Sequence, residues 1–226
     1  MRRFSIVLLL LILSSAVSAF GQGGEGKPRF FVGYSNLQAE GLPNKNDPDN
    51  LISPDFIDRR TTLHGFNGEV TYPFNTFGLT GDFSWNRNKQ SASFATGTQD
   101  TKTDIMYLVG GPSFHFLNSA RVEPFARLMG GAARTNFEIS SQRNLTGGTV
   151  RSEFDTHSVD LAMMVGAGLD VRVNDRFKVR ILQIDYAPIF LGDRAIRVLG
   201  NAGALQTVEL EGQRQDQFRF SFGVIF

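Results

Sequence analysis

The chain has 226 residues, of which 24 are Gly, 21 are Phe and none is Cys, and its formal net charge is +1. A charge so close to zero argues against a nucleic-acid-binding protein, which usually carries a basic excess. The mean hydropathy of -0.14 excludes a bundle of membrane-spanning helices, because each such helix needs about 20 consecutive apolar residues. Abundant Gly with abundant Phe instead predicts many short β-strands.

The first 19 residues have the layout of a secretory signal peptide. Arg2 and Arg3 precede an apolar run at 6–13, and a small-residue cleavage site follows at 17–19. We therefore predict an exported protein with a signal peptide at 1–19 and a short periplasmic segment at 20–27. Removing the signal peptide takes away two Arg and no acid, so the mature charge is 21 − 22 = −1.

The remainder of the chain alternates between apolar and polar residues in windows of about ten, which predicts strands rather than helices. The clearest alternation places Val159, Leu161 and Met163 on one face, opposite Asp160 and its polar neighbours. Eight strands are predicted, at 29–37, 63–74, 76–88, 104–116, 122–134, 158–173, 177–188 and 217–226.

Short turns and long connections alternate between these strands. Turns rich in Asn, Asp and Ser follow the second, fourth and sixth strands. Long polar loops are predicted at 38–62, 89–103, 135–157 and 189–216. All short turns thus lie at one end, as in bacterial outer-membrane barrels, which have short periplasmic turns and long extracellular loops. The sequence therefore predicts an all-β fold over 28–226, an eight-stranded antiparallel up-and-down transmembrane barrel.

Ionisable residues occur in the middle of the predicted strands, on their polar face. The opposite face is apolar and ends in aromatic residues such as Phe74, Phe77 and Phe116, which are typical of an interfacial girdle. A soluble barrel would expose this Phe-rich face to water, so we predict that it contacts lipid and that the polar face lines the lumen. The predicted lumen-lining charges are Glu69, Asp82, Glu123, Arg127, Asp160, Asp170, Arg172, Asp185 and Arg219.

The last predicted strand closes the barrel by pairing with the first, which leaves no strand edge in lipid. Apolar residues alternate along it up to a terminal Phe, a pattern similar to the signal read by the outer-membrane insertion machinery. The residues of this predicted insertion signal are Phe218, Phe220, Phe222, Val224 and Phe226.

A family resemblance rests on several short strings and on their order along the chain. Among them are FVGYSNL at 31–37, GGP at 110–112 and GAGLD at 166–170. With these strings, residues 28–226 resemble the OmpA-like, opacity-porin-type outer-membrane β-barrel domain family, also called the porin family. The resemblance implies a barrel in the outer membrane of a Gram-negative bacterium, surrounded by outer-membrane lipid and lipopolysaccharide. It implies no single activity, because this fold serves several functions.

The lumenal charges leave two alternatives open. An eight-stranded barrel is just wide enough for its own side chains, so six acids and three Arg would plug it with ion pairs. The excess of acid could instead leave a narrow, cation-selective water path. Gln183 and Asp185 are predicted to face inward, and strict alternation from them places Arg180 on the opposite face. It lies either at the periplasmic interface with Lys178 or after a β-bulge.

The sequence offers little for catalysis. Of three His, His64 is predicted to face outward and His115 inward, and His157 begins the sixth strand. His157 and Ser158 are adjacent and therefore point to opposite faces, so they form no nucleophile–base pair. We predict no enzyme, no catalytic residue and no cofactor. The Asn- and Asp-rich segment 44–50 lacks a defined order of calcium ligands, so no metal site is predicted.

The predicted function is a structural or surface-interaction role in the outer membrane. Its variable part would be the four extracellular loops, which would support envelope integrity or adhesion to an unidentified extracellular ligand. A small low-conductance channel is the alternative, and a lipid A-modifying enzyme is the minor alternative.

Overall fold

The computed structural model describes residues 26–40, 60–74, 77–94, 97–116, 121–145, 148–174, 177–192, 194–199, 205–210 and 214–226. The predicted signal peptide and the Asn- and Asp-rich segment 44–50 lie outside the described residues. Within the described ranges every regular element is a strand, and no helix is long and apolar enough to cross a membrane.

Twelve strands are present in the described ranges. They are β1 (Arg29–Ala39), β2 (Thr61–Phe74), β3 (Phe77–Phe94), β4 (Gly97–His115), β5 (Val122–Leu145), β6 (Gly148–Arg172), β7 (Lys178–Tyr186), β8 (Ile189–Phe190), β9 (Arg194–Leu199), β10 (Leu205–Leu210), β11 (Arg214–Gln215) and β12 (Phe218–Ile225).

These strands close into one antiparallel barrel. Each of β1 to β6 pairs with the next, β6 pairs with β7, β7 with β12, and β12 with β1. Strand β8 continues β7 after Pro188, and β11 precedes β12 in the same way. The wall thus has eight strands, which confirms the predicted fold. Strands β9 and β10 form a separate hairpin.

The two ends of the barrel differ. At the turn end β1 begins, β12 ends, and short connections join β2 to β3, β4 to β5 and β6 to β7. The seam closes there through two backbone hydrogen bonds between Phe30 and Phe226, of 2.8 and 2.9 Å. The loop end carries the longer hairpins and the connection between β1 and β2.

Three of the four predicted loops are mostly strand, so the loop predictions at 89–103, 135–157 and 189–216 were wrong. The last of these contains β8, β9, β10 and β11. Strands β3 and β4 remain paired up to Phe94 and Gly97, and β5 and β6 up to Leu145 and Gly148. Most residues in 89–103 and 135–157 are polar, as expected where a sheet continues beyond the barrel and either face can be solvated. Their composition therefore imitates that of a loop.

The predicted seventh strand is also interrupted, between Tyr186 and Ile189. Pro188 has no N–H to donate to the sheet, so regular pairing stops there. Its carbonyl still accepts a 3.1 Å hydrogen bond from Met163, and Ala187 N donates to Gln217 O at 2.8 Å. Backbone hydrogen bonds therefore continue across the interruption on both sides.

The outward face of the barrel is apolar. Its most exposed large side chains include Val159, Leu108 and Leu161, which are 63–66% exposed. The five residues of the predicted insertion signal also point outward. The inward side chains are buried, including most of the predicted lumenal charges. The hydrophobic surface therefore lies where lipid would be, and the polar side chains fill the interior.

Candidate functional site in the barrel lumen

Seven charged side chains meet inside the barrel, and none is more than 4% exposed. They come from six strands, because neighbouring strands place inward residues at the same level. We call this group the charged layer: Glu69, Asp82, Arg127, Asp170, Arg180, Asp185 and Arg219. Six of the seven are predicted lumenal residues, and Arg180 is the addition.

Arg127 of β5 lies at the centre of the charged layer. Its Nε and Nη2 donate to the two oxygens of Asp185 at 2.9 and 2.7 Å. Its Nη1 bonds Glu69 Oε1 and lies 3.2 Å from Asp82 Oδ2. A planar guanidinium has five N–H donors in a fixed fork, which suits it to hold several carboxylates together. One Arg thus joins β2, β3, β5 and β7.

Arg219 of β12 makes a second set of bonds to the same acids. Its Nη1 and Nη2 donate to Asp82 at 2.9 and 2.6 Å, and its Nε donates to Asp185 at 3.0 Å. Asn67 Nδ2 donates to Asp82 Oδ2 at 3.0 Å, and Gln183 Nε2 donates to Asp185 Oδ2 at 2.7 Å. Both buried carboxylates are therefore fully paired, as buried charges must be to remain ionised.

Arg180 reaches the lumen through a β-bulge. Ile181 has no partner in the β6 pairing, where Leu182 faces Leu169 and Arg180 faces Asp170. The extra residue leaves Ile181 and Leu182 both exposed and turns Arg180 inward. Of the two placements that the sequence left open, the bulge is the one observed.

The Arg180 guanidinium contacts two carboxylates and two aromatic rings. Its Nε and Nη2 donate to Asp170 at 2.8 and 3.2 Å, and its Nη1 donates to Glu69 at 2.6 Å. The rings of Phe31 and Phe125 lie 4.4 and 4.2 Å from its central carbon, within cation–π range. Because Glu69 also bonds Arg127, the charged layer is one continuous network.

Glycine in β6 makes room for this network. A Cβ on Gly166 would lie 1.9 Å from Asp185 Oδ1, and one on Gly168 would lie 2.6 Å from the Phe125 ring. Both positions face inward by the parity of β6. The absence of a side chain there lets β7 and β5 place their larger groups in the lumen.

A smaller charged group lies closer to the turn end. Glu123 accepts from Arg172 Nη2 at 2.6 Å and bonds Lys178 Nζ. The side chain of Arg172 is 37% exposed, whereas that of Glu123 is fully buried. Together with the charged layer this gives 4 + 1 = 5 acids and 3 + 2 = 5 bases. The sequence predicted six acids and three Arg in the lumen, whereas acids and bases are equal in number in these two groups.

Asp160 lies apart from both groups. It is nearer the loop end, half-buried, and accepts a 3.5 Å hydrogen bond from Gly192 N. The structure thus brings six predicted lumenal residues into the charged layer, places Glu123 and Arg172 in the turn-end group, and leaves Asp160 separate.

Between the charged layer and the loop end, the lumen is filled by apolar side chains. Tyr107 crosses it, and its hydroxyl donates to Ala187 O at 3.0 Å and to Gln217 Oε1 at 2.7 Å. This apolar layer consists of Leu37, Ala39, Leu63, Ile105, Tyr107, Val109, Met129, Ala133, Ala162, Met164, Ala187 and Ile189. Alternation predicted a polar lumen throughout, so the apolar layer is a correction to that expectation.

A signal for the apolar layer exists in the sequence. Residues 105–109 and 161–165 are unbroken apolar runs, in which both faces of the strand are apolar. Such runs are typical of strands buried on both sides. One face of each contacts lipid, and the other fills the lumen.

The two layers are in contact at Met164. The sulfur of Met164 accepts from Arg219 Nη2 at 3.1 Å and from Arg127 Nη2 at 3.5 Å. Small polar side chains line the wall at this level, and Ser35, Ser84 and Asn86 are fully buried.

On the turn-end side of the charged layer, a cavity of about 10 Å³ is lined by Glu69, Arg180 and their neighbours. That is about the space of one water molecule.

The three His residues are not brought together. His64 faces outward, with its Nδ1 bonded to the Tyr34 hydroxyl and 3.4 Å from Asn36 Nδ2. His115 faces the lumen and stacks on Phe125 at 5.8 Å. His157 lies inside β6 rather than at its start, because that strand begins at Gly148. In the described part of the chain no cluster of three His, Cys, Asp or Glu is placed to hold a metal ion.

Several outer-membrane proteins are among the solved structures that this chain matches. The attachment invasion locus protein Ail of Yersinia pestis, solved with the heparin analogue sucrose octasulfate, is 16% identical over 90% of this chain and 100% of Ail, with a TM-score of 0.49. The outer membrane protease OmpT of Escherichia coli is 8% identical over 91% and 99%, with 0.48. OprG of Pseudomonas aeruginosa is 11% identical over 89% and 96%, with 0.46.

A search of curated proteins gave no significant match. The family model described as outer membrane protein beta-barrel domain, in contrast, matches residues 5–226, nearly the whole chain. The closed antiparallel barrel with an apolar outer face agrees with that match. The chain therefore belongs to the outer membrane protein beta-barrel domain family, and it is located in the outer membrane.

Proposed function

We propose that this protein is a non-conducting outer-membrane barrel that acts through its outer surface and its loop-end hairpins rather than through its lumen. The observation that carries the proposal is the double filling of the lumen, by the charged layer and by the apolar layer. A continuous pore needs a water-accessible path from end to end, and every side chain of the charged layer is buried. We assign the turn end to the periplasm and the loop end to the cell surface.

The extended hairpins are the natural interaction elements. A tilted strand crosses the membrane in about 9–11 residues. Strands β5 and β6 have 24 and 25 residues, so more than half of each is available beyond the membrane. Because β3 and β4 continue the same pairing, the projection is a four-stranded sheet rather than a flexible loop. Its surface supports a structural or adhesive role.

The arrangement of polar groups favours a non-enzymatic role. His64 bonds a Tyr hydroxyl rather than a Ser, and it faces outward beside Asn36. A hydrolase of the nucleophile–base type needs a nucleophile, a base and an orienting group within hydrogen-bond reach. None of the contacts of His64, His115 or His157 among the described residues supplies that set. We therefore propose no catalytic residue.

A liposome-swelling assay tests the closed lumen. Proteoliposomes that carry the refolded protein should swell in isosmotic arabinose no faster than empty liposomes. A general porin, reconstituted at the same protein-to-lipid ratio, is the positive control. Swelling above the empty-liposome rate that grows with the protein-to-lipid ratio would contradict the proposal.

The surface role is tested by shortening one hairpin. Deletion of residues 140–153 removes the outer part of β5 and β6 and leaves the lumenal residues of both strands in place. Cells that express the shortened protein should adhere less to a cultured epithelial monolayer, with unchanged heat-modifiable gel mobility. A second variant, which lacks residues 91–98 in the hairpin of β3 and β4, is compared with it in the same adherence assay. Unchanged adherence in both variants, at wild-type surface abundance, would contradict an adhesive role.

A further inference from the structure

The turn end of the barrel holds an open cavity of about 580 Å³, which lies outside the charged layer. The segment 26–29 forms one side, Asn174 and Phe177 line another, and the ends of β2 and β12 complete it. We call this cavity the vestibule. Its lining residues used below are Lys27, Arg29, Arg172, Lys178, Phe177 and Phe226.

The vestibule is strongly basic. Lys27, Arg29, Arg172 and Lys178 line it, and the described residues that line it include no Asp or Glu. Glu123 bonds Arg172 and Lys178 from the lumen side. Four cations around one concave surface attract anions, since low-dielectric walls concentrate their field.

Arg29 is the vestibule cation that is best placed to bind an anionic ligand. It is half-buried and lines both the vestibule and the water-sized cavity behind it. Among the described residues it has no ion pair, whereas each Arg of the charged layer is bonded to at least two carboxylates. A half-buried guanidinium without a carboxylate is costly unless an anion or water pairs with it.

The vestibule is a dead end. On its lumen side lies the cavity of about 10 Å³, which Glu69, Asp170 and Arg180 of the buried charged layer line. An anion that enters from the turn end therefore binds and leaves by the same route. The site is suited to binding, not to conduction.

Aromatic residues connect the vestibule with the lipid-facing surface. Phe177 and Phe226 line its rim, and both are about half exposed on the outside of the barrel. Phe226 stacks on Phe30 at 6.1 Å, which continues the apolar surface around the seam. A cationic centre with an apolar rim suits a phosphate that carries an apolar substituent.

We propose that the vestibule binds a phosphate ester, with Arg29 and Lys27 as its direct donors. Arginine and lysine are the usual phosphate-binding side chains, and Arg can bind two phosphate oxygens at once. Arg172 and Lys178 add positive charge while they remain bonded to Glu123. The phosphate is supplied either by a phospholipid headgroup of the periplasmic leaflet or by a soluble ester.

Calorimetric titration of the refolded protein in a non-ionic detergent tests this site. The probes are inorganic phosphate, glycerol 3-phosphate and a short-chain phosphatidylglycerol below its micellar concentration. Arg29→Gln should weaken binding about tenfold, the loss expected for one charge-assisted contact, and Lys27→Gln should weaken it further. Arg134→Gln is the matched control, because Arg134 is exposed on the outer face of β5.

Each outcome decides one point. Saturable binding of phosphatidylglycerol alone, lost in Arg29→Gln and kept in Arg134→Gln, supports a lipid ligand. Equal binding of glycerol 3-phosphate supports a soluble one. Absence of saturable binding for all three probes would overturn the proposal, as would binding that Arg29→Gln leaves unchanged. Heat-modifiable gel mobility verifies that each variant is folded.

Discussion

The charged layer and the apolar layer fill the same lumen by different physical means. The charged layer depends on individual partners, since each of its four buried carboxylates is paired with only one or two Arg side chains. The apolar layer depends on packed volume, and each of its members contributes through the area that it removes from water. The first is specific and intolerant of change, whereas the second is additive and more tolerant.

The apolar layer also strengthens the charged layer. It separates the network from water at the loop end, and Met164 lies directly against Arg127 and Arg219. Ion pairs are stronger where water is excluded, but an unpaired charge costs more there. The same neighbourhood therefore makes the intact network rigid and makes a damaged one unstable.

The largest expected effect is that of Arg127→Ala. Removal of this side chain leaves Glu69, Asp82 and Asp185 with fewer cations, so the free energy of unfolding should fall by about 3–5 kcal/mol. Urea unfolding in vesicles, followed by tryptophan fluorescence, measures it. Arg134→Ala on the outer face of the same strand is the matched control and should cost less than about 1 kcal/mol. Equal losses in the two variants would contradict the specific role of the charged layer.

A somewhat smaller effect is expected for Leu63→Ala in the apolar layer. Leu63 is fully buried, so truncation leaves a cavity and should lower the free energy of unfolding by about 3 kcal/mol. Leu108→Ala is the control, because Leu108 faces lipid and acyl chains fill the space that is lost. The control variant should lose clearly less, without the cavity contribution. If it loses as much as Leu63→Ala, the lumen is not packed at this level.

Arg180→Lys tests whether geometry matters beyond charge. Lysine keeps the positive charge but cannot make the paired bonds to Asp170 or the flat contacts with Phe31 and Phe125. We expect the free energy of unfolding to fall by about 2 kcal/mol, from the lost hydrogen bonds and cation–π contacts. The same urea titration measures it. A fully stable Lys variant would show that charge alone is sufficient in the network.

The smallest effect is expected at the turn-end group. Arg172 is partly exposed, and Lys178 still bonds Glu123 when Arg172 is replaced. Arg172→Gln should therefore cost no more than about 1 kcal/mol, as exposed ion pairs do. The loss should shrink further when unfolding is measured in 0.5 M instead of 0.05 M NaCl, because salt screens exposed charges. A loss as large as that of Arg127→Ala would place Arg172 inside the network.

Period-2 alternation predicted the barrel and most of the charged layer because a strand has only two faces. Once Phe83 is assigned to lipid, Asp82 must face the lumen, and the same holds along β2, β6 and β12. Strand number and closure followed from the alternation of short and long connections. These features are local, so a single sequence is enough to reveal them.

Other features depend on neighbouring strands and were missed. The parity of Arg180 changes at a bulge, which is visible only when β7 is aligned with β6. The outer parts of β5 and β6 have loop-like composition, yet each supplies the other with a pairing partner. The apolar layer interrupts the polar lumen because Tyr107 and Leu63 must fill space that several strands enclose together.

Single-channel recording in planar bilayers tests the closed lumen most directly, because it resolves small leaks that an average over many vesicles would hide. The refolded protein, verified by heat-modifiable mobility, is added to a bilayer in 1 M KCl under a voltage of either sign. The two filled layers predict a baseline without steady conductance steps. Reproducible, ohmic steps from the wild-type protein would contradict the account and show that water and ions pass both layers.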